Sequence, residues 1–220
     1  MKKKFMAFVA ALALCAAAAV PATASAHDPI LFVHGWSESA SLWNTMIKNF
    51  EKDGYKKSEL SAYTYDTSQS NKIDAETEVK SHVESLLSSN PGATKVDIIS
   101  HSMGSLNTRW YIKFDGGESK VDDWVSLGGP NHGTETANLC IQTACVEMRV
   151  GSTFLSELNA GDETPGIVNY GTWWSPCDEI INPDESVILS GATNTKTACL
   201  SHSALTTDST VYTQVREFVK

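Results

Sequence analysis

From residue 30 onward, short apolar runs alternate with amphipathic ones. Residues 30–33 (ILFV) and 96–99 (VDII) are short apolar stretches of the kind that fill strands buried on both faces. Residues 60–65 (LSAYTY) are rich in β-formers, and 121–127 make another strand, stopped by Gly128, Gly129 and Pro130. Between them lie helical spacings. Leu42, Trp43, Met46, Ile47 and Phe50 share one face over 40–53, and Val79, Val83, Leu86 and Leu87 one stripe over 73–89, which Asn90-Pro91-Gly92 ends. Residues 103–114 predict a third helix, and 208–219 a last one with Val211, Val215, Phe218 and Val219 inward. Residues 130–165 are irregular apart from a helix near 147–159, and 166–172 and 186–191 (SVILSG) are candidate late strands.

Four strands separated by three helices predict right-handed crossovers and a mostly parallel sheet covered by helices on both faces. No linker or repeat interrupts the pattern, so 27–220 is expected to be a single domain. Residues 1–26 stand apart. Lys2, Lys3 and Lys4 precede an apolar run to Val20, then Pro21 and Ala24-Ser25-Ala26, the layout of a cleaved secretory signal. The run is short for a transmembrane helix, which needs about 20 residues. Leu14 before Cys15 is bulky for a lipoprotein site.

Composition narrows the class. Hydrophobic residues make up 41% and charged residues 20%, too apolar for a disordered chain. The formal charge is −9, and cleavage after Ala26 removes three lysines and no acid, which takes it to −12. That balance argues against nucleic acid or an anionic membrane as a partner. Export also changes the meaning of cysteine. Cys140, Cys145, Cys177 and Cys199 remain, an even number in an oxidising compartment. Three pairings are open, and Cys140–Cys145 with Cys177–Cys199 is the expected one. A zinc site lacks the paired C-x2-C knuckles.

The densest chemical signal is VDIISHSMGS, residues 96–105. A strand runs into Ser102 and a helix follows at once, an arrangement that resembles the nucleophile elbow of α/β-hydrolases. Gly104 supplies the small residue two places after the serine, and Ser100 stands two places before it, where glycine is common. The Met103 N–H opens the following helix, where donors are unsatisfied and the dipole is positive. The strand at 30–33 ends in His34-Gly35-Trp36, and the Trp36 N–H is the candidate second oxyanion donor. His101, adjacent to the serine, reads as structural.

A serine needs a base, and only His132 and His202 follow Ser102. His132 would require Asp115, Asp122 or Asp123 as its acid, too early in the chain. His202 lies before the last helix, where this fold places its base. Asp178 is the favoured acid, with Glu179 and Asp184 as rivals, whereas Asp162 and Glu163 precede the late strand. Cys177 abuts Asp178 and Cys199 lies three residues before His202, so their bridge would hold the two loops together.

From about residue 29 to the end, the chain resembles the small bacterial class 2 lipases, above all in VHG, in VDIISHSMGS and in SLGGPNHGT. The resemblance implies a minimal α/β-hydrolase fold, an α/β architecture of about six mostly parallel strands without a large lid. It also implies hydrolysis of carboxylic esters without cofactor or metal. Ser102, Asp178 and His202 would be the nucleophile, acid and base, and the Trp36 and Met103 N–H groups the oxyanion donors. Trp36, Met103, Leu106, Trp173 and Trp174 are candidate walls of an acyl slot, the last two equally candidates for the core. The expected partner is a lipid or other ester, met as a surface if those tryptophans are exposed, by a secreted monomer without stable membrane insertion. The rival readings are a cutinase-like polyester hydrolase, a phospholipase or acyltransferase on the same triad, a binding protein without turnover, and a metal enzyme, for which no H-E-x-x-H is present.

Overall fold

The computed structural model describes Met1 and residues 27–220, so the expected leader at 1–26 lies, Met1 apart, outside the described residues. Six strands form one parallel sheet: β1 (Ile30–Val33), β2 (Leu60–Ala62), β3 (Val96–His101), β4 (Val121–Leu127), β5 (Asn169–Trp174) and β6 (Thr193–Lys196), in spatial order β2-β1-β3-β4-β5-β6. The order reverses direction between β1 and β3. There the chain moves outward from β1 to the edge strand β2, returns to β3, and then proceeds the other way.

The apolar runs are continuous because both faces of the central strands are covered. Ile30, Phe32, Ile99, Val125, Leu127 and Trp173 pack on one face against α1 (Asn44–Lys52) and, at the C-terminus, α7 (Ser209–Phe218). Leu31, Val33, Ile98, Trp124 and Tyr170 pack on the other against α3 (Lys80–Ser89), α4 (Gly104–Phe114) and α6 (Thr153–Leu158). A short α2 (Asn71–Asp74) runs through a π-helical segment, Ala75–Val79, into α3, and α5 (Thr143–Glu147) precedes α6. Among the described residues no helix is long and apolar enough to cross a membrane.

Three expectations change. The strand expected over 60–65 ends at Ala62. The next two tyrosines are buried, and Tyr65 Oη donates to the His34 carbonyl at 2.7 Å. The helix near 147–159 is two short helices, α5 and α6, separated at 148–152. The strand expected at 186–191 is not there. Val187 ends a 3-10 turn, Asp184–Val187, and packs with Trp174 and Ile181 in a small cluster, while Leu189 is buried with the main core. Its apolar run therefore anchors a loop. The sixth strand is Thr193–Lys196, a polar, mostly exposed edge that has no apolar signature to find.

At the N-terminal edge of the sheet, carboxylate oxygens of Asp28, Asp97 and Asp122 lie within 4.8 Å of one another. Asp97 is buried and accepts the Asp123 N–H at 3.1 Å. Burial first, then its acidic neighbours, push Asp97 well above the ordinary carboxylate value. Burial also carries Asp123 up to about 6, against the opposing hydrogen bond from Asn169. A carboxyl raised in the folded state contributes its stability at low pH and loses it as pH rises through the folded value. Asp97→Asn is therefore expected to raise the thermal midpoint at about pH 8 and to change it little near about pH 4, as scanning calorimetry at the two pH values would show.

Candidate active site

β3 is buried along its whole length and delivers the chain to Ser102 in the left-handed region, with φ +53°. A non-glycine residue in this conformation costs of order 1–3 kcal/mol and persists only where its surroundings over-determine it. They do so here. The Ser102 N–H donates to the Leu127 carbonyl at 3.0 Å, and the Ser102 carbonyl accepts the Ser105 N–H at 3.0 Å as α4 begins. The departure at Ser100 is absorbed by a hydrogen bond. Its hydroxyl donates to the Val125 carbonyl at 2.6 Å, so no buried polar group is left open.

Two glycines let the neighbouring loops close on this corner. A Cβ at Gly35 would stand 2.7 Å from Ser102 Cβ, so the β1 loop can lie this close only without a side chain. Gly128, with φ +59° at the end of β4, would place its Cβ 3.2 Å from both His202 Cε1 and Asp178 Oδ2. Nucleophile, histidine and aspartate are thus gathered at the C-terminal ends of the strands, next to the reversal of strand order.

Asp178 Oδ2 accepts from His202 Nδ1 at 2.8 Å, while its other oxygen accepts the Ile180 and Ile181 N–H groups, each at 2.9 Å. That leaves His202 Nε2 as the unused ring nitrogen. Burial alone would raise Asp178, but the His202 hydrogen bond, the charge of His202 and the two backbone donors hold it below the ordinary carboxylate value. Burial lowers His202 most. Asp178 opposes that shift, the neighbouring His101 adds to it, and the net direction is down. Among the described residues, neither the Trp36 N–H nor the Met103 N–H has an intramolecular acceptor.

Ser102 and His202 line one cleft of about 270 Å³, with Trp36, Ala137, Met148 and Ile181 among its apolar walls. Both expected disulfides are formed, and Cys140 borders the cleft. Cys177–Cys199 joins the loop of Asp178 to that of His202. Ser175 stitches the same loops, its hydroxyl donating to the Leu200 carbonyl at 2.6 Å and accepting the Leu200 N–H at 2.8 Å. The rival acid Glu179 accepts the His202 backbone N–H at 3.0 Å and so braces the loop instead of the ring. His132 is bound elsewhere, to Glu163 at 2.7 Å, and does not border the cleft.

Two of the expected wall residues need correction, and the two tryptophans left open between wall and core belong to the core. Met103 and Leu106 are fully buried in the core beneath the corner, and neither borders the cleft. Trp173 faces α7 and donates its ring N–H to Gln214, and Trp174 packs on Ile181 and Val187. Strand alternation sends the two rings to opposite faces of the sheet, and helix α7 and the 180s loop cover them. Ser175, Glu179 and Glu38, whose carboxylate also borders the cleft, have no periodic or motif signal in the sequence.

Residues 27–217 match the model of the family described as lipase (class 2). The fold is similar to that of Bacillus licheniformis lipase BlEst2 in its mature form, with a TM-score of 0.77 and 18% identity, covering 91% of this chain and 94% of that one. It is also similar to Aspergillus fumigatus lipase B, with a TM-score of 0.74 and 18% identity over 88% of this chain. The present chain spans 54% of that protein's length. Phospholipase PlaB from Legionella pneumophila gives a TM-score of 0.66 and 15% identity, covering 82% of this chain and 54% of that one. At these identities the likeness establishes the fold.

Replacing Cys177 and Cys199 together by serine reopens a loop of sequence separation 22. The double variant is expected to lose about 3 kcal/mol in urea denaturation, the value for closing a loop of this order of length.

Proposed function

Because the chain belongs to the class 2 lipase family, we propose that it is a secreted serine carboxylester hydrolase, acting on acylglycerols or similar esters through an acyl-enzyme on Ser102. One observation carries this reading. A serine held at φ +53° and a histidine tied to a buried aspartate at 2.8 Å open on the same cleft. His202 Nε2 takes the Ser102 proton while Asp178 holds the Nδ1 proton, which selects the required tautomer and stabilises the imidazolium that forms. The serine oxygen attacks the ester carbonyl, and the oxyanion rests on the Trp36 and Met103 N–H groups. The alcohol leaves with the proton from His202, and water, activated by the same imidazole, then releases the acid.

The apolar walls and modest volume of the cleft support a short or medium acyl chain, since pockets for drug-sized ligands run about 300–1,000 Å³. Beside it, Leu139, just before the Cys140–Cys145 loop, and Ile141 within it are exposed, at 87% and 89%. Two bare apolar side chains at the rim support an aggregated lipid as substrate. The paired cysteines support an oxidising destination, and with it removal of residues 1–26 and action outside the cell.

Three outcomes are expected. A fluorophosphonate should label Ser102, located by peptide mass spectrometry, and Ser102→Ala should lose about 10⁴-fold or more in kcat on p-nitrophenyl esters. Wild-type esterase activity undiminished in Ser102→Ala would exclude the site. Across a chain-length series, kcat/KM should be higher on butyrate and octanoate than on palmitate. The acid limb of kcat/KM should fall below about pH 6.5, the ordinary imidazole value. His202 is lowered by its burial and so remains a neutral base further into acid, and activity should disappear only as it gains a proton.

A further inference from the structure

Glu38 and His101 form a half-buried ion pair that the steps above do not use. Glu38 Oε2 accepts the Gly35 N–H at 2.8 Å and faces His101 Nδ1 at 2.9 Å. The other ring nitrogen of His101, Nε2, lies 3.2 Å from the carbonyl oxygen of His202. The His101 side chain is fully buried, and its ring centroid is 4.4 Å from that of His202. A carbonyl oxygen only accepts, and so does an ionised carboxylate. Burial alone would raise Glu38, but the His101 hydrogen bond and charge and the Gly35 N–H bring it below the ordinary value, so it is ionised near neutrality. His101 thus bridges the Glu38 carboxylate and the His202 carbonyl through its two ring nitrogens.

Three parts of the site meet at this pair. Gly35 immediately precedes Trp36, whose N–H is the proposed oxyanion donor. His101 immediately precedes Ser102. The carbonyl that His101 reaches belongs to the proposed base. We propose that the Glu38–His101 pair is the positioning element of the site, fixing the oxyanion loop and the His202 loop against the nucleophile strand. The proposal rests on the reading of Ser102, His202 and Trp36 given above. The pair touches no reacting atom. It acts through placement, to which catalysis is steeply sensitive, since a displacement of about 1 Å can cost about 10²-fold in rate.

The test compares Glu38→Gln, His101→Gln and the double variant with wild type, using kcat and KM on p-nitrophenyl butyrate, thermal midpoints and fluorophosphonate labelling of Ser102. Glutamine at 38 still accepts from Gly35 but removes the carboxylate that faces His101 Nδ1. The Glu38 side chain is 26% exposed, so its replacement should leave the protein folded. Glu38→Gln is expected to lose about tenfold in kcat with KM within about twofold and a near-native thermal midpoint, and the double variant to fall no further than the worse single one. A kcat unchanged in Glu38→Gln, a loss carried by KM or by unfolding, or losses that multiply in the double variant would overturn the proposal. If His101→Gln does not fold, the kcat and KM of Glu38→Gln decide alone. Wild type that takes no label on Ser102 defeats the underlying reading and this proposal with it. A labelled wild type beside an unimpaired Glu38→Gln defeats this proposal only.

Discussion

The arrangement depends on one backbone constraint, the left-handed turn at Ser102 between a fully buried strand and a helix. Such a residue relaxes unless its neighbours prevent it. The restraint comes from β4 on one side, through the Leu127 carbonyl, and from the first turn of α4 on the other. The sheet supplies rigidity because β1, β3 and β4 are paired in register up to the corner, with Val33 beside Ser100 and His101 beside Leu127. Strain at the serine is thus sustained by the most deeply buried part of the protein.

Around that corner, polar side chains bind loops to one another. Asp178 uses one oxygen for His202 and the other for two backbone donors, so its charge is met on both sides. Ser175, Glu179 and the Cys177–Cys199 bridge hold the loops of the acid and the histidine from outside. Glu38 and His101 connect the remaining loop. Polar networks that tie several loops together in this way narrow the geometries open to them, because most alternatives leave a charge or donor unmet. The opposite end of the sheet differs. There Asp97 and Asp123 are raised, by burial first and by their acidic neighbours, so that end loses stability as pH rises.

The amino-acid sequence by itself determined the parallel core of the sheet and the serine corner that follows its central strand. Both rest on local physics. Apolar runs buried on two faces, amphipathic helices between them, and a serine placed where a strand turns into a helix are visible within ten or twenty residues. The pairing of Cys177 with Cys199 was legible for a related reason, since those residues flank Asp178 and His202.

Tertiary structure alone decided three things. The sixth strand is a polar edge, held by pairing with β5, so no hydrophobic period marks it. The apolar run at 186–191 and the adjacent Trp173 and Trp174 look alike in sequence as strand or wall, and only the elements packed over them make them loop anchor and core. Glu38 and His101 are 63 residues apart, and although His101 sits in the serine motif nothing in the sequence links it to Glu38. Their meeting depends on β1 and β3 lying side by side, and a contact made by strand pairing across intervening helices leaves no trace in either local segment.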